Sequence, residues 1–226
     1  MTSNTELDWA TLNTRGVNRA LQGAENGSFT VRNPGGAHAL ACGLNHPLEV
    51  TIEGHCGYYA AGMNQEASVT IQGNAGTGVA ENMMSGTVRV TGDASQSAGA
   101  TAHGGLLVIE GNTSARAGIS MKGIDIVVGG NVGHMSAFMA QAGRLVVCGD
   151  AGADLGDSIY EAQLFVRGSV ESLGADCIEK EMRPEHLEAL TGLLERAGME
   201  ADPADFRRYG SARKLYNFNI DNLDAY

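Results

Sequence analysis

Glycine recurs along this chain at a fixed interval of 19 residues. The repeated positions are Gly54, Gly73, Gly92, Gly111, Gly130, Gly149 and Gly168. A repeat this short is one small structural unit that cannot bury its own apolar face, so successive units must stack on one another. The period therefore favours a solenoid over a globular core built from long elements.

Each repeat contains a short strand just before its glycine. The residues four before are Val50, Val69, Val88, Leu107, Ile126, Leu145 and Leu164, and the residues two before are Ile52, Ile71, Val90, Ile109, Val128, Val147 and Val166. Large aliphatic residues two apart place their side chains on one face of a strand. We expect these two columns to point into the core.

The residues that follow each glycine are small or turn-forming. Five of the seven next residues are Asn or Asp, which suggests a turn with left-handed backbone, since Gly, Asn and Asp tolerate that conformation. Seven positions after the glycine, no residue is larger than alanine. We interpret that column as a crowded corner, which accounts for much of the chain's content of 32 glycines in 226 residues.

These patterns predict an all-β protein, a parallel β-helix of about seven 19-residue coils with short α-helical extensions. Residues 46–176 form the β-helix, residues 1–45 an N-terminal extension and capping coil, and residues 177–226 a C-terminal helix and tail. Thr14 is the expected N-cap of a first helix that runs to Leu21. A second helix is expected to begin at Pro184 and end near Gly198, with a shorter one from residue 202 and an extended segment over residues 214–220.

One column that should point outward is apolar. It lies three residues before each repeated glycine, and four consecutive coils there carry Val108, Val127, Val146 and Phe165. An apolar stripe of this kind is normally covered. Two covers are possible, the apolar face of the C-terminal helix or another protein, so these four residues form a possible partner interface. The basic residues Arg207, Arg208 and Arg213 are a second possible part of it.

Net charge and the N-terminal sequence restrict partners and location. The formal charge of −11 argues against nucleic acid and anionic membranes, which select basic surfaces. Residues 1–10 lack the basic start and apolar stretch of a signal peptide, and we expect a cytoplasmic protein.

The residues do not predict a catalytic, cofactor-binding or metal site. The outer strand positions supply only Glu53 and Glu110 as acids, three coils apart, so paired-carboxylate chemistry lacks its partner. Tyrosines and methionines concentrate four to eleven residues after the glycines. The column at +10, which includes Met83 and Met121, is more easily a third interior wall than a ligand site.

The motifs resemble a known family. Gly73, Gly76 and Gly78 form a Gly-x-x-Gly-x-Gly motif that resembles the C-terminal glycine-motif domain of the glutamate synthase large subunit, a right-handed β-helix. The free-standing chain is more similar to the small β-helix subunit of N-methylglutamate synthase. Five segments carry this resemblance: residues 57–64, 80–86, 118–123, 133–139 and 208–216. A more distant likeness extends to a subunit of archaeal formylmethanofuran dehydrogenase.

The resemblance implies a right-handed coil and a non-catalytic scaffold subunit. It implies two partners, a glutamine-amidotransferase-like subunit and a glutamate synthase-like subunit with FMN and an iron–sulfur cluster, and no cofactor in this chain. The expected reaction of the complex converts methylamine and L-glutamate to N-methyl-L-glutamate and ammonia. Two alternatives stay open: a β-helix subunit of a glutamate synthase that makes glutamate, and a stand-alone solenoid enzyme for a sugar or acyl substrate.

Overall fold

The computed structural model describes residues 4–215 as one long sheet of stacked strands with two α-helices. The helices are α1 (Trp9–Gln22) and α2 (Pro184–Ala197), and a 3₁₀ turn spans Pro203–Asp205. The strands are β1 (Asn4–Asp8), β2 (Gly27–Arg32), β3 (Leu48–Ile52), β4 (Ser68–Ile71), β5 (Thr87–Val90), β6 (Leu106–Ile109), β7 (Lys122–Val128), β8 (Ala142–Val147), β9 (Gln163–Val166), β10 (Cys177–Lys180) and β11 (Arg207–Ser211).

The 19-residue period is the register of the sheet. From β3 to β9 each strand pairs in parallel with the next, and residues 19 apart are partners, as in Val50 with Val69, except at the start of β7, where Lys122 pairs with Ala142. Both predicted inward columns are almost completely buried in one core. The predicted β-solenoid of about seven coils is therefore confirmed.

The stack extends beyond residues 46–176 at its N-terminal end. Strands β1 and β2 join it in parallel, which makes the predicted capping coil part of the same sheet. Helix α1 contains a break at Asn13, whose φ is 54°, and the Asn13 side chain accepts hydrogen bonds from the amides of Arg15 and Gly16. Asn13, and not Thr14 as predicted, caps the helical segment that runs to Gln22.

The C-terminal end departs from the parallel pattern. Strand β11 pairs antiparallel with both β9 and β10, so the chain returns across the last coil. Helix α2 begins at Pro184 and stops at Gly198, which has left-handed backbone, as the sequence predicts. Most of the predicted extended segment at residues 214–220 lies outside the described residues.

A ladder of side chains runs along the outside of the stack. Its members follow the repeated glycines, and each member before the last accepts a hydrogen bond from the backbone amide of the next, at 2.7 to 3.0 Å. The members of this side-chain ladder are His55, Asn74, Asp93, Asn112, Asn131, Asp150 and Ser169. Each bond connects two coils, so the Asn and Asp residues stabilise the stack itself.

The side-chain ladder explains the repeated glycines. A β-carbon on Gly92, Gly111, Gly130, Gly149 or Gly168 would lie 2.1 to 2.4 Å from the ladder oxygen of the preceding coil. None of these five has a positive φ, so the predicted left-handed turn is wrong for them. The glycines are needed because a side chain from the coil before lies directly against their Cα atoms.

Asp150 should make the stability of the side-chain ladder sensitive to acid. The backbone amide and the hydroxyl of Ser169 both donate to its carboxylate and lower the pKa of Asp150 below its ordinary 3.8. A carboxyl whose folded pKa is depressed stabilises the fold fully above its unfolded pKa, and this contribution is lost as the pH falls through the folded value. Asp150→Asn keeps the acceptor oxygen without a titrating group. Between about pH 5 and about pH 3 the melting temperature of D150N should fall less than that of the wild type. Equal slopes would contradict this role.

Within residues 4–215, no helix has the length and apolar character that a membrane span requires.

Candidate partner interface

The corner opposite the strands has an unusual backbone that presents side chains outward. In six coils the residues at +5, +7 and +9 from the glycine all have left-handed φ, between 51° and 74°. The eighteen residues are Tyr59, Ala61, Met63, Gly78, Ala80, Asn82, Ser97, Gly99, Thr101, Arg116, Gly118, Ser120, Met135, Ala137, Met139, Asp154, Gly156 and Ser158. For a residue other than glycine this conformation costs about 1–3 kcal/mol and persists only where surrounding structure imposes it.

Hydrogen bonds between coils impose this backbone. The amide of Tyr59 donates to the carbonyl of Thr77 in the next coil, whereas the amide of Ala61 donates to Leu40 in the coil before, both at 2.8 Å. The middle residue of each triplet is buried, and the side chains of the outer two reach the surface except at Gly78, which is buried and has no side chain. The residues of the +7 column are small for two reasons, their left-handed backbone and the crowding of their corner. A β-carbon on Gly99, for example, would lie 2.6 Å from Ile126.

Four large apolar side chains are exposed together on this corner. We call Tyr58, Tyr59, Met63 and Met84 the tyrosine–methionine patch; each is about half exposed, between 47% and 53%. Met84 is joined to it through the adjacent coil, since its amide donates to the carbonyl of Asn64 at 2.7 Å. Tyr and Met are enriched in protein interfaces, and an exposed cluster of them indicates a binding surface.

The aromatic half of the patch is held in place by its neighbours. The ring of His38 stacks on Tyr58 at 4.5 Å, and its Nδ1 accepts the amide hydrogen of Tyr58 at 2.8 Å. The ring of Tyr59 lies across Gly78 of the next coil, where a β-carbon would lie 2.7 Å from its Cδ1 atom. The third glycine of the Gly-x-x-Gly-x-Gly motif thus makes room for this tyrosine.

Sequence reasoning placed these side chains only in part. The +10 column is interior, as predicted, because Met83, Ala102, Met121 and Ala140 are fully buried. The four patch residues lie at other positions and were not separated from it. The strict limit to alanine at +7 marks the inward residue of each triplet, but only the left-handed backbone seen in the structure places Tyr59 at +5 and Met63 at +9 outside.

The apolar outward column is covered by the chain itself. Val108, Val127, Val146 and Phe165 are 0% exposed, and they share a second core with Leu190, Leu193, Leu194, Ala197 and Phe206. The possible partner interface is therefore wrong for these four residues. The apolar face of helix α2 packs on this column and so occupies the surface that a partner would need.

Charged groups fix α2 on this column. The guanidinium of Arg89 donates to the carbonyl of Ala197 at the end of the helix, at 2.7 Å. Asp125 is largely buried, accepts two hydrogen bonds from Arg144 at 2.7 and 2.9 Å, and lies 3.6 Å from Arg196 of α2. Both contacts favour the observed position of the helix.

The structure separates the three arginines of the predicted interface. Arg207 and Arg208 are successive residues of β11, so their side chains point to opposite faces. Arg207 donates to the carbonyl of Gly168, whereas Arg208 and Arg213 line one cavity near the start of α2. Whether a partner binds them stays a prediction.

The candidate acids and thiols are in structural environments. Glu53 lies 3.4 Å from Arg32, and Glu110 lies 2.8 Å from Arg89. Burial raises the pKa of both Cys56 and Cys177 to about 12, so these thiols stay protonated at neutral pH. No group of three or more His, Cys, Asp or Glu side chains suited to a metal ion occurs within residues 4–215.

Comparison with known proteins identifies a family. No family model matches the chain. Protein GlxC of Rhizobium meliloti (strain 1021) is 64% identical over 225 residues, which cover 97% of this chain and 99% of the relative. The chain belongs to the GlxC family. Since the match spans both sequences almost completely, the solenoid, α2 and the tyrosine–methionine patch all fall within the shared length of this GlxC-type chain.

Proposed function

We propose that this GlxC-family chain is a scaffold subunit of a glutamate synthase-like complex. The tyrosine–methionine patch carries the proposal, since it is an exposed, preorganised apolar surface on a stack joined by hydrogen bonds from coil to coil. Helix α2 already covers the apolar outward column. Such a patch suits the burial of a partner's side chains better than it suits catalysis.

The partners that we propose are an amidotransferase-like subunit and a subunit that carries FMN and an iron–sulfur cluster. The support is the resemblance of five segments to the small subunit of N-methylglutamate synthase, two of which, residues 57–64 and 80–86, contain the whole patch. In the complex that we favour, methylamine replaces the amino group of L-glutamate to give N-methyl-L-glutamate and ammonia. Assays of the purified complex with methylamine against glutamine distinguish this reaction from glutamate synthesis.

Removing two side chains of the patch should release the partners. In Tyr59→Ser/Met63→Ser the stacked backbone keeps its hydrogen bonds, but the buried apolar area at the interface is lost. A hot-spot side chain at the centre of an interface contributes about 2 kcal/mol or more, so the loss of even one of the two should weaken binding at least 30-fold. Co-purification from the native host, with mass spectrometry and a flavin absorption spectrum, measures this loss.

Ile178→Ser is the matched control. Ile178 is 42% exposed on β10, at the far end of the stack, and its removal should leave co-purification intact. Equal loss in both variants, or none in either, would contradict a role for the patch. Turnover of a sugar or acyl substrate by the isolated chain would instead support the stand-alone enzyme.

A further inference from the structure

A cavity of about 260 Å³ lies at the C-terminal end of the solenoid, away from the tyrosine–methionine patch. It is open to solvent on one side and is bordered by the first turn of α2, by β10 and β11, and by the segment that enters β9. Four basic side chains line it, together with one carboxylate, one histidine, one tyrosine and neutral residues. The ionisable residues of the lining are Lys180, Arg183, Arg208, Arg213, Glu161, His186 and Tyr160. This concentration of positive charge occurs in a chain whose net charge is −11.

Two of these cations are direct neighbours across the sheet. Lys180 of β10 is the antiparallel partner of Arg208 of β11, so both side chains stand on the same face of the sheet. Like charges directly opposite each other destabilise a strand pair. A local conflict of this kind is expected where a site requires it for function.

The carboxylates nearby are bound to other cations. Glu161 pairs with Arg213 at 2.8 Å, and Arg183 lies 3.3 Å from Glu181 and 3.8 Å from Glu185. Within residues 4–215, no ion pair reaches Lys180 or Arg208.

The surroundings of Arg208 agree with an excess of positive charge. Its Nε donates to the backbone carbonyl of Glu181 at 3.0 Å, which fixes the guanidinium at the cavity. Burial, followed by the positive charge of Arg183, lowers the pKa of Arg208, although the carboxylates of Glu185 and Glu181 act in the opposite direction. Burial, followed by the charge of Arg208, lowers the pKa of His186. Four basic side chains line the cavity against the single carboxylate of Glu161, so an anion there would add to the partial compensation that Glu181 and Glu185 provide.

We propose that this cavity binds a small anion with carboxylate or phosphate groups, held between Lys180 and Arg208. A guanidinium offers paired donors that match either group, and an ammonium adds a point charge. The volume is close to the lower limit of small-molecule sites, which favours a compact ligand. This inference does not depend on the proposed scaffold function.

Thermal unfolding of the full-length chain tests the site, with sodium succinate and sodium phosphate as probes and sodium chloride at equal ionic strength as the reference. A ligand at 100 times its Kd should raise the melting temperature by about 5 °C or more. Lys180→Gln should abolish this shift. Because K180Q also removes the repulsion with Arg208, it should melt no lower than the wild type in chloride alone, a result that a merely structural lysine would not give.

Lys122→Gln removes the same charge from an exposed position on β7 and serves as the matched control. A rise in melting temperature that occurs in the wild type and K122Q but not in K180Q supports the site. The probe that gives the larger rise identifies the ligand as a carboxylate or a phosphate. Equal shifts in all three proteins, or no shift in the wild type, would overturn the proposal. Failure here leaves the co-purification experiment unaffected, so the two hypotheses are tested separately.

Discussion

Replacing Gly111 with alanine is expected to destabilise the protein by about 3 kcal/mol, the upper part of the range for overpacked sites. The added β-carbon would lie 2.3 Å from Oδ1 of Asp93 and 2.8 Å from the carbonyl oxygen of Gly92. Asp93 could move away only by giving up its 2.7 Å hydrogen bond to the amide of Asn112. For a chain of this size the melting temperature should fall by roughly 6–12 °C, as differential scanning calorimetry would show.

Two further variants separate crowding from backbone conformation. Gly192→Ala places the same methyl group on α2, where nothing lies within 4 Å, and should stabilise the protein by up to about 1 kcal/mol. Asparagine tolerates left-handed backbone better than alanine does. Gly111→Asn should nevertheless be at least as harmful as G111A, because Gly111 does not have a positive φ. A clear recovery of stability in G111N would show that conformation, and not the ladder, requires this glycine.

The strand columns could be predicted from the sequence because their information is local. Aliphatic residues two apart indicate that one face of a strand is buried, and the 19-residue interval sets the register between coils. The reason for the repeated glycines could not be found in the same way. It depends on a contact between Gly111 and Asp93, which are 18 residues apart in the chain and adjacent only after stacking.

The candidate site was less predictable because it depends on which surfaces remain uncovered. The sequence showed an apolar column and an amphipathic helix of suitable length, but either the helix or a partner could cover that column. It also showed tyrosines and methionines near one corner without indicating which of them point outward. The left-handed residues decide this for Tyr59 and Met63, and non-glycine residues with that backbone cannot be recognised from their identity.

Truncating Leu190 to alanine is expected to cost about 3 kcal/mol, within the usual range for a fully buried leucine. Leu190 is 0% exposed in the core that α2 forms with Val127, Val146 and Phe165. Chemical denaturation would measure the loss, and the melting temperature should fall by roughly 6–12 °C. Glu188→Ala, on the exposed face of the same helix, should change stability by no more than about 0.5 kcal/mol.

The comparison of these two variants decides between the two covers of the apolar column. If a partner covered the column in place of α2, the Leu190 side chain would be as exposed to solvent as that of Glu188 in the isolated chain. Both substitutions would then have small effects on stability. The contacts at two points along the helix, Arg89 with Ala197 and Asp125 with Arg196, oppose that arrangement because neither survives if α2 moves away. A large effect of L190A beside a small effect of E188A would show that α2 covers the column, and the tyrosine–methionine patch would remain an exposed apolar surface for a partner.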